Sequence, residues 1–153
     1  MKAEERGNVH KIISIILLIL WCILIFYFSS QVGSVSENSS SHVLMFLNSI
    51  IRLFSPSVDL TKSLVATFIV RKLAHMFLYF ILYIICFYVA ISYKIKKENL
   101  FCFIFCILYA TSDEIHQLFI FERSFGIQDI LIDLFGSFIG HLFLHIKWIR
   151  FFD

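Results

Sequence analysis

LAHMFLYFILYIICFYVAISY, residues 73–93, is the stretch that decides the fold, because only His75 and Ser92 interrupt its apolar character. A helix needs about 20 consecutive, mostly apolar residues to cross the roughly 30 Å hydrocarbon core of a bilayer. The stretch therefore predicts a transmembrane helix, which we extend to about 66–93.

Three further spans are predicted around it. Residues 12–28 contain Ser14 as their single polar residue and follow a basic N-terminal segment, which predicts an uncleaved anchor helix over about 11–30. Residues 100–110 are apolar but too few to cross, and apolar character resumes at Ile115, so one helix over 99–121 with a polar patch is expected. The last span is placed at 128–147.

The composition agrees with a membrane protein and excludes other classes. Of the 153 residues, 59% are hydrophobic and 16% are charged, with a single Pro and 19 Phe. Ordinary soluble domains are about 45–50% apolar. A soluble, disordered or nucleic-acid-binding chain is thereby disfavoured, and the length suits a single domain over 1–153.

Residues 42–54 form an apolar helical stripe that is too short to span, so we predict a short interfacial helix at the outer surface. The fold class expected is an all-α polytopic membrane bundle of four transmembrane helices plus this helix. Lys and Arg are more frequent at the N-terminus, in the 94–99 turn and at the C-terminus than in the other segments. The positive-inside rule then predicts a multi-pass cell-membrane protein with both termini in the cytoplasm.

Polar and ionisable residues within spans are costly and suggest function. Helical spacing places several on one face of each of three helices, and the rise of about 1.5 Å per residue brings them to one level near the outer surface. We therefore predict an outward-opening polar pocket that binds a ligand. Its members are Arg71, Lys72, His75, Tyr79, Asp113, Glu114, Gln117, Arg123, Asp129 and Asp133.

Glu114, His75 and His116 are the candidates for acid–base catalysis, if any reaction occurs. An unpaired carboxylate at this depth is unfavourable, so Glu114 is expected to pair with Arg71, His75 or Arg123. The four cysteines lie inside apolar runs, and the sequence predicts neither a metal site nor a cofactor. Gly136 and Gly140 are expected to face another helix of the chain.

These elements together resemble the VanZ-like family over nearly the whole chain. The strings that carry the resemblance are Phe28-Ser29-Ser30-Gln31, Arg71-Lys72-x-x-His75 with Tyr79, Asp113-Glu114-x-x-Gln117 with Arg123, and Asp129 with Gly136-x-x-x-Gly140. One departure is Phe121-Glu122, where the family often has Pro-Gly.

The resemblance implies a membrane protein of four or more helices, and some members are associated with resistance to glycopeptide antibiotics, notably teicoplanin. The family's recurrent polar residues correspond here to Arg71, His75, Glu114, Gln117, Arg123 and Asp129.

Three functions are compatible with these residues. The first is a pocket that binds an anionic lipid head group, from a cell-envelope lipid intermediate or a lipoglycopeptide, with membrane lipids as partners and no nucleic acid. The second is a membrane-embedded hydrolase or transferase acting on an envelope lipid, although no reaction-specific motif is present. The third is a structural or assembly partner.

Overall fold

The computed structural model describes residues 2–54 and 63–152, and within these ranges the chain forms helices and turns but no strand. In chain order the helices are α1 (Lys2–Ser29), α2 (Gly33–Phe54), α3 (Leu64–Ser92), α4 (Glu98–Gln117) and α5 (Ile127–Phe152). The predicted all-α class is confirmed.

Three of the described helices are long and apolar enough to cross a membrane, namely α1, α3 and α5, over Asn8–Ser29, Val65–Ser92 and Ile127–Ile146. Helix α4 has 20 residues, but its last two turns run through Thr111, Ser112, Asp113 and Glu114. The described chain thus contains three helices suited to crossing a membrane. A fourth membrane crossing, by α4, stays a prediction.

Helix α3 is the centre of the bundle, since it contacts all four other helices and shares its most extensive interface with α5. Its side chains Tyr79, Leu82 and Tyr83 are completely buried. The buried thiols Cys86, Cys102 and Cys106 pack in the same cluster and form no disulfide. The core therefore lies between α3, α4 and α5, with α1 against its side.

The α3–α5 interface is close because α5 presents glycines to the α3 backbone. A Cβ added at Gly136 would overlap the carbonyl oxygen of Met76, and one at Gly140 would lie 2.8 Å from the carbonyl oxygen of Phe80. Such approaches are typical of small-x-x-x-small packing between membrane helices. The prediction that both glycines face another helix of the chain is confirmed.

Several helix boundaries differ from the predictions. Helix α1 begins at Lys2 rather than about 11, and α5 ends at Phe152 rather than 147. Helix α2 begins at Gly33 rather than 42, although serine and glycine are poor helix formers. Its packing on α3, with Leu44 buried, offsets that weak propensity.

Helix α4 ends at Gln117 rather than 121. The backbone N–H groups of Leu118, Phe119 and Ile120 each bond to the carbonyl three residues earlier, which tightens the chain out of the α-helix. Glu122 then adopts a φ of 61°, the left-handed region that glycine adopts more easily. The chain thus turns over 118–126, before α5.

Contacts between helices define the two ends of the bundle. At one end, His10 of α1 hydrogen-bonds Tyr88 of α3 at 2.9 Å, and Tyr83 contacts both Asn99 of α4 and His141 of α5. The N-terminal half of α1 and the C-terminal half of α5 therefore lie on this side. At the opposite end α1 and α4 finish while α3 and α5 begin, and that end carries the polar residues.

Candidate functional site

Two acidic residues of α5 face two basic residues of α3 at the polar end. Lys72 forms an ion pair with Asp129, and one turn further along each helix His75 Nδ1 lies 3.8 Å from Asp133 Oδ1. The steps of three residues on α3 and four on α5 each correspond to about one helical turn, so both pairs lie on facing sides of the two helices. The α3–α5 interface therefore brings together four residues that the sequence singled out.

Helix α4 contributes a buried polar patch from its last two turns. Asp113, Glu114 and Gln117 are all buried, and the Gln117 amide donates to Asp113 Oδ2 at 3.4 Å. These side chains share the inward face because they are spaced three and four residues apart. The patch interrupts the apolar run of α4 at the level of the α3–α5 pairs.

Arg123, in the turn after α4, donates hydrogen bonds to two other parts of the site. Its Nη1 donates to Gln117 Oε1 at 3.1 Å, and its Nε donates to the carbonyl oxygen of Gln31, just beyond α1, at 3.0 Å. Burial, and then the charge of Arg71, lowers the pKa of Arg123, although a guanidinium stays charged at neutral pH. Arg123 therefore brings a fixed positive charge to the site.

Glu114 is hydrogen-bonded to a backbone N–H group rather than to one of the basic side chains predicted for it. Its Oε2 accepts a hydrogen bond from the backbone N–H of Gly126 at 2.9 Å, while no described cation lies within ion-pair distance of it. Gly126 immediately precedes α5, where unpaired N–H groups and the helix dipole favour a carboxylate. The predicted pairing with Arg71, His75 or Arg123 is therefore wrong, because a helix start supplies the donor.

A cleft of about 190 Å³ opens among these residues, and we call it the polar cleft. Arg71 has no hydrogen-bond or ion-pair partner among the described residues, and Arg71 and Arg123 carry like charges in one small cleft. An anion between them would relieve that repulsion. The lining consists of Phe68, Arg71, Lys72, His75, Gln117, Glu122, Arg123, Ser124 and Asp129.

A second, larger depression of about 260 Å³ adjoins it between the end of α1, α2 and α3, and we call it the apolar groove. Arg71 and His75 line both depressions. The remaining groove lining is mostly apolar and comprises Phe28, Gln31, Ser39, Ser40, Val43, Val70, Ala74, Phe77 and Leu78. A single molecule with a charged end and an apolar end could occupy both.

Five predicted site residues do not line the cleft, namely Tyr79, Asp113, Glu114, His116 and Asp133. The three carboxylates are buried beside it, whereas His116 and Tyr79 have other surroundings. His116 points to α1, where it contacts the Ser30 hydroxyl at 3.1 Å and stacks on Phe26 with ring centroids 4.4 Å apart. Tyr79 is completely buried one turn beyond His75, and its hydroxyl has no hydrogen-bond partner in the described part of the chain.

Sequence reasoning missed Gln31 and the Gly126 N–H as contributors to the site. Gln31 belongs to a string that carries the family resemblance, which was the available signal. A backbone donor such as Gly126 leaves no side-chain signal.

Comparison with known proteins gives one match. The family described as VanZ/LLP1 matches residues 14–149, which includes every polar residue of the site. No curated protein and no solved structure matched the chain. Because the match covers most of the chain and agrees with the membrane-type helices, the chain belongs to the VanZ/LLP1 family.

Proposed function

We propose that this VanZ-like membrane protein binds the anionic head group of a cell-envelope lipid or of a lipidated ligand in the polar cleft. Through this binding it would contribute to glycopeptide (teicoplanin) resistance or to cell-envelope homeostasis. The observation that carries the proposal is the shared wall of the two depressions, since Arg71 and His75 line both the polar cleft and the apolar groove.

The head group is assigned to the cleft on grounds of charge. Lys72 is already paired with Asp129, so Arg71 and Arg123 are the cations available to an incoming anion. Guanidinium groups bind phosphate or carboxylate through paired, charge-assisted hydrogen bonds. A phosphate or carboxylate head group is therefore the expected class.

The apolar tail is assigned to the groove. The apolar wall of the groove consists of Val43, Val70, Phe77 and Leu78. The groove adjoins the polar cleft, because Arg71 and His75 line both. The tail of a membrane amphiphile already lies out of water in the bilayer, so the groove would hold it by van der Waals packing. The predicted membrane orientation would put this site in the outer leaflet, where envelope lipids and glycopeptides meet.

Binding can be measured with a fluorescent long-chain alkyl phosphate added to the protein in phosphatidylcholine nanodiscs. We expect Arg71→Gln and Arg123→Gln each to weaken binding at least about tenfold, since a hydrogen bond to a charged group contributes roughly 1.5–3 kcal/mol. Lys96→Gln is the matched control, because Lys96 is an exposed cation in the turn at the other end of the bundle. The corresponding long-chain alcohol should bind more weakly than the phosphate to the unsubstituted protein.

The same variants separate the alternatives. Loss of teicoplanin resistance in Arg71→Gln at unchanged accumulation would support a functional cleft, whereas binding unaffected by both Arg substitutions would contradict the proposal. A change in the mass of envelope lipids incubated with the protein would instead indicate the hydrolase or transferase.

A further inference from the structure

Next to the polar cleft, three helices bring three potential metal ligands together. His75 of α3, Asp113 of α4 and Asp133 of α5 each offer one ligand atom, and these atoms lie within 4.8 Å of one another. His75 also lines the cleft, whereas Asp133 is completely buried one turn further along α5 than Asp129. The sequence placed all three in one polar pocket but predicted no metal site, because single residues from separate helices form no metal-binding spacing motif.

The hydrogen bonding of the cluster is incomplete. Both carboxylate oxygens of Asp133 and Nδ1 of His75 are buried without a hydrogen-bond partner in the described part of the chain. Asp113 accepts a long 3.4 Å contact from Gln117 and also faces the Ser29 hydroxyl. Buried polar atoms are nearly always paired, because an unpaired one forfeits its hydration without compensation. These atoms therefore point to an additional bound species.

The distances suit ligands around a cation better than direct hydrogen bonds. His75 Nδ1 and Asp133 Oδ1 are 3.8 Å apart, beyond the usual limit of about 3.2 Å for an N–H···O bond. Two ligands at about 2.0 Å from a tetrahedral zinc ion are roughly 3.3 Å apart. A small inward movement of the side chains would therefore complete such a site.

We propose that His75, Asp113 and Asp133 bind one divalent cation, with Zn²⁺ as the best match. Zinc accepts a neutral imidazole nitrogen together with carboxylate oxygens, and three protein ligands leave a fourth position open to water or another ligand. The two carboxylates balance the charge of the ion, which offsets the free-energy cost of burying them. Magnesium and calcium match less well, because they prefer ligand sets made of oxygen alone.

The metal site shares His75 with the proposed head-group site but does not use Arg71 or Arg123. Asp133→Asn changes only the metal site, and Arg71→Gln changes only the head-group site, so the two proposals can fail separately.

The test is zinc titration of the full-length protein after treatment with a chelator and its removal, read by competition with a chromophoric zinc indicator. We expect one zinc ion per chain, and at least tenfold weaker binding in His75→Gln and in Asp133→Asn, because even the outer-shell partners of metal ligands change affinity by about 10–100-fold. His116→Gln and His145→Gln are matched controls, since they remove histidines outside the cluster and should leave binding unchanged.

Two further readouts distinguish the site from other zinc ligands and from misfolding. Zinc should raise the thermal unfolding temperature of the unsubstituted protein but not of His75→Gln, and X-ray absorption should show nitrogen and oxygen neighbours without sulfur from the core thiols. The proposal would be overturned if the protein did not bind one zinc ion per chain. It would also be overturned if His75→Gln and Asp133→Asn bound zinc as tightly as the unsubstituted protein.

Discussion

Of the two glycines in the α3–α5 interface, Gly136 has the closer approach to the α3 backbone. An added Cβ there overlaps a backbone carbonyl, Met76 O, which cannot move aside as a flexible side chain could. We expect Gly136→Leu to destabilise the fold by about 1–3 kcal/mol or more and to reduce folded protein. Phe138→Leu on the exposed side of α5 is the control. Equal thermal stability of both variants would show that the interface tolerates the added side chain.

Glu122 is a second residue whose backbone conformation can be tested. Its φ of 61° is unfavourable for a residue with a Cβ by roughly 1–2 kcal/mol, and it lies where VanZ-like chains often have glycine. We compare Glu122→Gly with Glu122→Ala, because both remove the same side-chain interactions. The glycine variant should be more stable in thermal unfolding by about 1 kcal/mol. An alanine variant that is equally stable would contradict the left-handed turn.

At the scale of the helices, α3 supplies one wall of the apolar groove, and Ala74 is its smallest lining residue. We expect Ala74→Phe to fill the groove and to weaken binding of a long-chain alkyl phosphate, because the chain loses its packing contacts there. Binding of a short-chain alkyl phosphate should not change. Leu73→Phe, at an exposed position on the same helix, is the control. Equal losses for both chain lengths would place the tail elsewhere.

The helices themselves show what a sequence can and cannot predict. The long apolar runs predicted the helix ends nearest the site, in α1, α3 and α5, to within a few residues. They could do so because the length of an apolar run can be read from the local sequence. The first turns of α2 were missed, since Ser-rich segments have weak helix propensity, whereas the helix as a whole packs on α3. The end of α4 was placed too late because apolar residues continue into the turn.

The sequence likewise predicted some of the contacts in the site and missed others. Charged residues in apolar helices identified Lys72, His75, Asp129 and Asp133, and the structure brings these four together. The position of His116 against α1 was not predictable, since helical spacing fixes a face but not its neighbour. The apolar groove also required the tertiary arrangement, because α2 and α3 form it jointly.

At the scale of the whole molecule, the function depends on which end of the bundle faces outward. The excess of Lys and Arg at the termini and in the 94–99 turn predicts that the polar end is outside. A cysteine introduced at Asn38, which is exposed on α2, should react with an impermeant maleimide in intact cells. A cysteine at Lys96 should react only after permeabilisation. The reverse pattern would place the polar cleft in the cytoplasmic leaflet.

An experimental structure with a long-chain alkyl phosphate bound would test most directly whether the polar cleft and the apolar groove form one binding site for an anionic amphiphile. We predict the phosphate within hydrogen-bonding distance, about 3 Å, of the Arg71 and Arg123 guanidinium groups. The alkyl chain should then run along Val43 and Leu78 in the groove. Phosphate density away from both arginines, or a chain that leaves the groove vacant, would contradict the account.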